Sequence, residues 1–182
     1  VNPFRTLRTA RLVMTPVSGA DLADLRAIKA DPRAFAIMLG GVRNAAETAE
    51  DLARDVIAWG EHGYGIWAVR EDNRFVGITG LEDRSDGRGV ALRFALWPEA
   101  QGRGLAREAA GAALRFGHDQ AGLRRIVAVA RESNFASRTV LGGIGMVPYE
   151  EFVQNGHAMI LYESIIRGSG KIDSSSLRHG PA

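Results

Sequence analysis

Trp97-Pro98-Glu99-Ala100-Gln101-Gly102-Arg103-Gly104-Leu105-Ala106-Arg107-Glu108-Ala109-Ala110 holds a strand end, a glycine-bearing turn and a helix start in one stretch. Upstream, Val90 to Trp97 is apolar except for Arg93, the pattern of a largely buried strand, and Pro98 closes it. Downstream, Leu105, Ala109, Ala112, Ala113 and Phe116 recur at intervals of three and four, as in a helix that packs one face on a sheet. The turn therefore sits at a helix N-terminus, where the first backbone N–H groups lack internal partners and the dipole is positive. Gly102 and Gly104 carry no Cβ to hold an anion away from those groups, and Arg103 and Arg107 add charge at the rim. A pyrophosphate suits such a turn.

Other phosphate-binding turns fit less well. A nucleotide P-loop puts Lys-Ser or Lys-Thr straight after its last glycine, where this chain has Leu105-Ala106. A dinucleotide fingerprint needs a third Gly or Ala at the right spacing in an early βαβ unit, whereas this turn lies past mid-chain after three predicted antiparallel strands. On spacing alone, an ordinary strand-to-helix turn with glycines for geometry stays open.

Working outward, the strands before the turn are Tyr64 to Val69 and Arg74 to Leu81, joined by the polar Arg70-Glu71-Asp72-Asn73, and then Val90 to Trp97. Earlier still, Arg11 to Pro16 reads as a short first strand. Ser18 can cap a helix carrying Leu22, Leu25 and Ile28, and Asp31-Pro32 interrupts it to start a second. Asn44 begins a third, with Ala49, Leu52, Val56, Ile57 and Ala58 expected on its inner side and Trp59-Gly60 as its stop. Trp59, Tyr64 and Trp67 read as core aromatics or as cleft walls. After the central helix, Arg124 to Ala130 reads as a buried strand whose helical crossover implies parallel pairing. A helix follows from Asn134 to Gly143. Met146 to Val153 and Ala158 to Ile166 form a final hairpin through Asn155-Gly156.

Composition bounds the function. A chain of 182 residues supports one domain with a real core. Lys plus Arg number 23 and Asp plus Glu 21, interspersed, so bulk charge does not call for nucleic acid. With no cysteine, disulfides, thiolate zinc and a cysteine acyl-enzyme are excluded on this chain. His62, His118, His157 and His179 lack ligand spacing, so no metal site is expected. No run approaches the roughly 18 apolar residues of a membrane span, and no signal-peptide core is seen, so the expected location is cytoplasmic.

Gln101, Gly104 and Ala106 match the signature of the GNAT acetyltransferase superfamily: Arg or Gln, two residues, Gly, one residue, then Gly or Ala. A second stretch, Asn134-Phe135-Ala136-Ser137-Arg138-Thr139-Val140-Leu141-Gly142-Gly143-Ile144-Gly145-Met146, resembles the Asn-x-x-Ser helix of the branch that includes ribosomal-protein N-terminal acetyltransferases, the RimJ/RimL-like branch. Thr9 to Pro16 resembles that branch's first strand, so the likeness spans Thr9 to Arg167.

The resemblance implies one α/β domain over residues 1–167 and a flexible C-terminal tail over 168–182. The domain would hold a mixed, mostly antiparallel seven-stranded sheet, splayed between strands four and five, with helices on both faces. It implies acetyl-CoA as the donor, with its pyrophosphate on the turn Gln101, Gly102, Arg103, Gly104, Leu105 and Ala106, and its pantetheine arm on backbone groups of Phe94 and Leu96. Asn134 would cap its helix and reach the same arm, while Arg138 either meets a phosphate or is solvated. Many members carry a leaving-group Tyr where this chain has Leu141; in the RimL-like pattern the serine lies near the sulfur, which assigns Ser137 to the thiolate. For a base, Glu82, Glu132, Glu150, Glu151 and His157 are candidates, with Glu151 nearest the RimL-like carboxylate. The expected partner is an amine-bearing acceptor, either a peptide N-terminus or a small molecule, met by a monomer or homodimer with no direct role for nucleic acid or membrane. A non-catalytic acyl-CoA-binding regulatory module is the alternative that Leu141 favours.

Overall fold

In the computed structural model, which describes residues 5–38 and 40–166, the sequence patterns resolve into one sheet and two helical layers. Arg167 and the expected tail 168–182 lie outside the described residues. The strands are β1 (Leu7–Arg8), β2 (Leu12–Pro16), β3 (Ile66–Glu71), β4 (Arg74–Asp83), β5 (Val90–Leu96), β6 (Arg125–Arg131), β7 (Val147–Gln154) and β8 (His157–Ile165). The helices are α1 (Leu22–Ala30), α2 (Pro32–Phe35), α3 (Ala45–Glu61), α4 (Leu105–Asp119) and α5 (Phe135–Gly143).

The sheet runs β1-β2-β3-β4-β5-β6-β8-β7, with every neighbouring pair antiparallel except β5 and β6. It has eight strands among the described residues where seven are expected from the sequence. A tight turn splits the first: Thr9 N–H donates to Leu12 O at 3.0 Å and Leu12 N–H to Thr9 Oγ1 at 3.1 Å. Glu108 on α4 fixes that turn by accepting from Thr9 Oγ1 at 2.5 Å and Arg11 N at 2.8 Å. The expected splay is present, because β5 and β6 share the single register pair Ala91 with Val127 before diverging.

One face of the sheet packs Ile66, Ala68, Ile78 and Ala95 against Leu25, Ile28, Phe35 and Leu52 from α1, α2 and α3. The other packs Trp67, Leu81, Leu92 and Ile126 against Leu105, Ala109, Ala113 and Phe116 of α4, with Leu141 of α5 beside them. Trp59, Tyr64 and Trp67 are core residues, and Trp67 meets Phe116 edge to face at 5.0 Å. A capping box starts α3: Asn44 Oδ1 accepts from Ala46 N and Glu47 N, both at 2.9 Å, while Glu47 accepts from Asn44 N at 2.8 Å. Its inner face differs from the expected one. Thr48, Leu52 and Trp59 are buried, whereas Val56 and Ile57 are exposed and Gly60 lies within the helix. Steps of four, three and four along this face place Asp55, not Val56, toward the sheet.

Candidate active site

The splay opens a cleft of about 280 Å³ between β5 and β6, walled by Leu92 and Phe94 on one side and by Ala128, Ala130, Asn134 and Ser137 on the other. Backbone direction along β5 follows from two bonds. Trp97 N–H donates to Val76 O at 3.0 Å, and Thr79 Oγ1 donates to Arg93 O at 2.9 Å, so odd-numbered residues of β5 face β4. Because main-chain groups alternate along a strand, Phe94 and Leu96 turn theirs into the splay, beyond the last β6 pairing.

At the end of β5 the chain makes a short helical turn over Pro98–Ala100 and then reaches Gly102 and Gly104 at φ +73° and +78°. Both are left-handed conformations that glycine adopts without steric cost. Gly104 is the N-cap of α4, and space around the missing Cβ of Gly102 is open. Leu105 is fully buried and anchors the helix, so it and its neighbour Ala106 can offer a ligand only main-chain N–H groups. The side chain of Gln101 does not point outward; its Nε2 donates to Leu96 O at 3.0 Å and braces the turn on the strand. Arg103 makes a two-pronged ion pair with Glu71, at 2.8 and 2.7 Å.

Arg11 is a cation at this turn that sequence reasoning missed. Its Nη1 donates to Arg103 O at 2.8 Å, and Nη2 lies 3.5 Å from where a Cβ on Gly104 would stand. Glu108 holds it in place, with Arg11 Nη2 at 2.7 Å. Burial works to raise the Glu108 carboxyl, but hydrogen bonds from Thr9, from Arg11 N and from the Arg11 side chain together hold it below its ordinary value. No local signal could have revealed this contact, since the partners are 97 residues apart.

On α5, Asn134 Oδ1 accepts from Ser137 N at 3.1 Å, which makes it the helix cap, and the residue lines the cleft. Ser137 and the fully buried Leu141 line the same cleft. Arg138 is taken up locally, donating to Tyr162 Oη at 3.2 Å and Glu132 O at 2.9 Å. Glu151 lies on the exposed face of β7 and is not part of the cleft wall. Glu150 is paired with Arg88 at 3.1 Å, Glu132 and His157 are exposed, and Glu82 alone of the sequence candidates reaches the cleft. Gln154 Oε1, buried and without a hydrogen-bond partner among the described residues, also borders it.

A smaller recess of about 70 Å³ adjoins the cleft and shares Met38, Glu82 and Arg93 with it. It lies between the sheet and helices α1 to α3 and is bordered by Lys29, Asp51 and Asp55. Among the described residues no group of three or more His, Asp or Glu is arranged to hold a metal, and no helix is long and apolar enough to cross a membrane.

A family model described as an acetyltransferase (GNAT) domain matches residues 11–147. The FsC-acetyl coenzyme A-N(2)-transacetylase of Aspergillus fumigatus is 26% identical over 161 residues, covering 81% of this chain and 67% of that protein. An acetyltransferase structure from Agrobacterium tumefaciens superimposes with a TM-score of 0.77 at 25% identity, over 87% of this chain and 93% of that one. RimL, a ribosomal L7/L12 alpha-N-protein acetyltransferase solved with coenzyme A, superimposes with a TM-score of 0.74 over 88% of this chain and 98% of that one. Its identity is 17%, a likeness of fold.

Proposed function

The chain belongs to the GNAT acetyltransferase family, whose donor is acetyl-CoA, and from that premise we propose that it acetylates a primary amine by direct attack. The observation that carries this reading is the alignment of two main-chain features: the open side of β5 at Phe94 and at the Leu96 N–H, and the free N-terminus of α4 at the end of the same strand. The first suits the amide-bearing pantetheine arm and the second its pyrophosphate. Residues 102 to 106 act through backbone N–H groups, with Arg11 supplying the adjacent cation. Gln101 and Arg103 fix the shape of the turn rather than touch the anion.

Holding the thioester in the splay replaces a chance encounter with a fixed approach for the nitrogen. The Leu96 N–H is directed into the splay, where it can receive charge developing on the thioester oxygen. Ser137 then steadies the departing sulfur from α5, and Gln154 Oε1 offers an acceptor for a substrate N–H. Without cysteine on the chain, no thiol is available to carry the acyl group between donor and acceptor. The acceptor is a peptide N-terminus or a small amine.

The test is release of free thiol from acetyl-CoA against a panel of peptides, amino acids, polyamines and aminoglycosides. Turnover with one acceptor class is expected. Acetyl-CoA binding without thiol release from any of them would replace this reading with that of an acyl-CoA-responsive module.

A further inference from the structure

We infer that Asp55, on the inner face of α3, is the group that takes the proton from the acceptor's ammonium in the recess beside the cleft. The inference rests on the N-acetyl transfer proposed above and adds the base; of the sequence candidates Glu82 alone borders the recess, and Arg93 pairs with it.

Pairing separates the carboxylates of the recess. Asp51 is bound by Lys29 of α1 at 2.9 Å, by Arg43 of the loop before α3 at 3.5 Å and by Arg54. Glu82 of β4 is bound by Arg93 of β5. Asp55 borders the same space, yet it feels these charges only through space and takes part in no hydrogen bond or ion pair among the described residues. Its carboxylate is therefore free to bond to something that enters. The recess, of about 70 Å³, has room for a small polar group such as an amine terminus.

The surroundings also set the direction of proton transfer. Lys29, Arg43 and Arg54 engage Asp51, and Arg93 engages Glu82, so Asp55 is the carboxylate left to receive a proton from an entering ammonium, whose charged form burial disfavours. Burial raises the Asp55 carboxyl to about 6, which lets it stay ionised at neutral pH and still accept a proton readily. The ammonium gives one proton to Asp55 and becomes a neutral amine. Its nitrogen forms the bond to the thioester carbonyl carbon while the carbon–sulfur bond breaks. The second nitrogen proton passes to the leaving sulfur at the Ser137 end of the cleft, and Asp55 returns its proton to solvent.

The experiment compares wild type with Asp55→Asn and Glu82→Gln on the panel's best acceptor, following kcat/KM against pH together with acetyl-CoA affinity and Tm. Asp55→Asn is expected to lose about 10²-fold or more in kcat/KM near pH 7 while acetyl-CoA affinity holds. The acid limb should move from near 6 toward the acceptor's own value, about 8 for an α-amine. An Asp55→Asn enzyme within threefold of an active wild type at every pH, or an acid limb lost in Glu82→Gln and kept in Asp55→Asn, would overturn the inference alone. Wild type that binds acetyl-CoA but acetylates nothing would overturn it together with the function it rests on.

Discussion

Burial between α3 and the sheet lifts the Asp55 carboxyl from 3.8 to about 6, with Lys29 opposing the rise and Glu82 and Asp51 adding to it. Because the folded value lies above the unfolded one, ionising Asp55 is harder in the native state. The protein is most stable with respect to this group below about pH 4 and loses stability as pH climbs from about 4 to 6. The difference corresponds to something on the order of 3 kcal/mol at neutral pH. Asp55→Asn should accordingly raise Tm by several degrees at pH 8 and by little at pH 4, a contrast that calorimetry at the two values can read. A substitution that stabilises the fold while slowing the reaction is the signature of a site residue kept at a structural cost. Ser137 offers the opposite case. Its N–H, not its hydroxyl, makes the bond to Asn134, so Ser137→Ala should leave Tm unchanged and reduce kcat by roughly 10²-fold in steady-state assays.

The elements most legible in the sequence are those whose signals are local. The run from Val90, the stop at Pro98, the glycines of the turn and the periodicity from Leu105 place β5, the turn and α4 within a residue or two of their observed bounds. What escaped depends on distant partners. The split of the first strand is fixed by Glu108, and Arg103 and Arg138, read as phosphate contacts, have Glu71 and Tyr162 as partners in the fold. Asp55 was hidden by Val56 and Ile57, apolar neighbours that suggested the wrong inner face for α3. The turn itself can be tested against a strain-matched control. Gly104→Val and Gly122→Val both force a side chain into a left-handed conformation, at φ +78° and +70°, with an expected loss of about 1–2 kcal/mol each. Only Gly104→Val also sets a branched side chain at the helix N-terminus beside Arg11, so isothermal titration should show acetyl-CoA affinity falling more than about 10-fold for it and holding for Gly122→Val.

At the scale of the whole molecule, the sheet is two ladders meeting at one β5–β6 pair, and other contacts must hold them in register. Near the paired end of β5 and β6, Arg88 binds Glu150 of β7 at 3.1 Å and lies over the Phe152 ring at 4.2 Å, while Arg125 Nη1 donates to Arg88 O at 3.0 Å. Arg88→Ala should loosen the β7–β8 hairpin, seen as faster amide exchange there, and raise KM for acetyl-CoA more than it lowers kcat. The diverging strands also divide the chain in order: everything through β5 lies on one side, everything from β6 onward on the other, and α4 runs between them. A break in the loop 120–124 would leave two sequence-contiguous pieces, each with its own ladder, sharing the burial of Leu81, Ile126 and Leu141 around α4. Acetyl-CoA lying in the gap would touch both, so fragment complementation should strengthen with donor concentration, turning the opening in the sheet into a ligand-dependent seam.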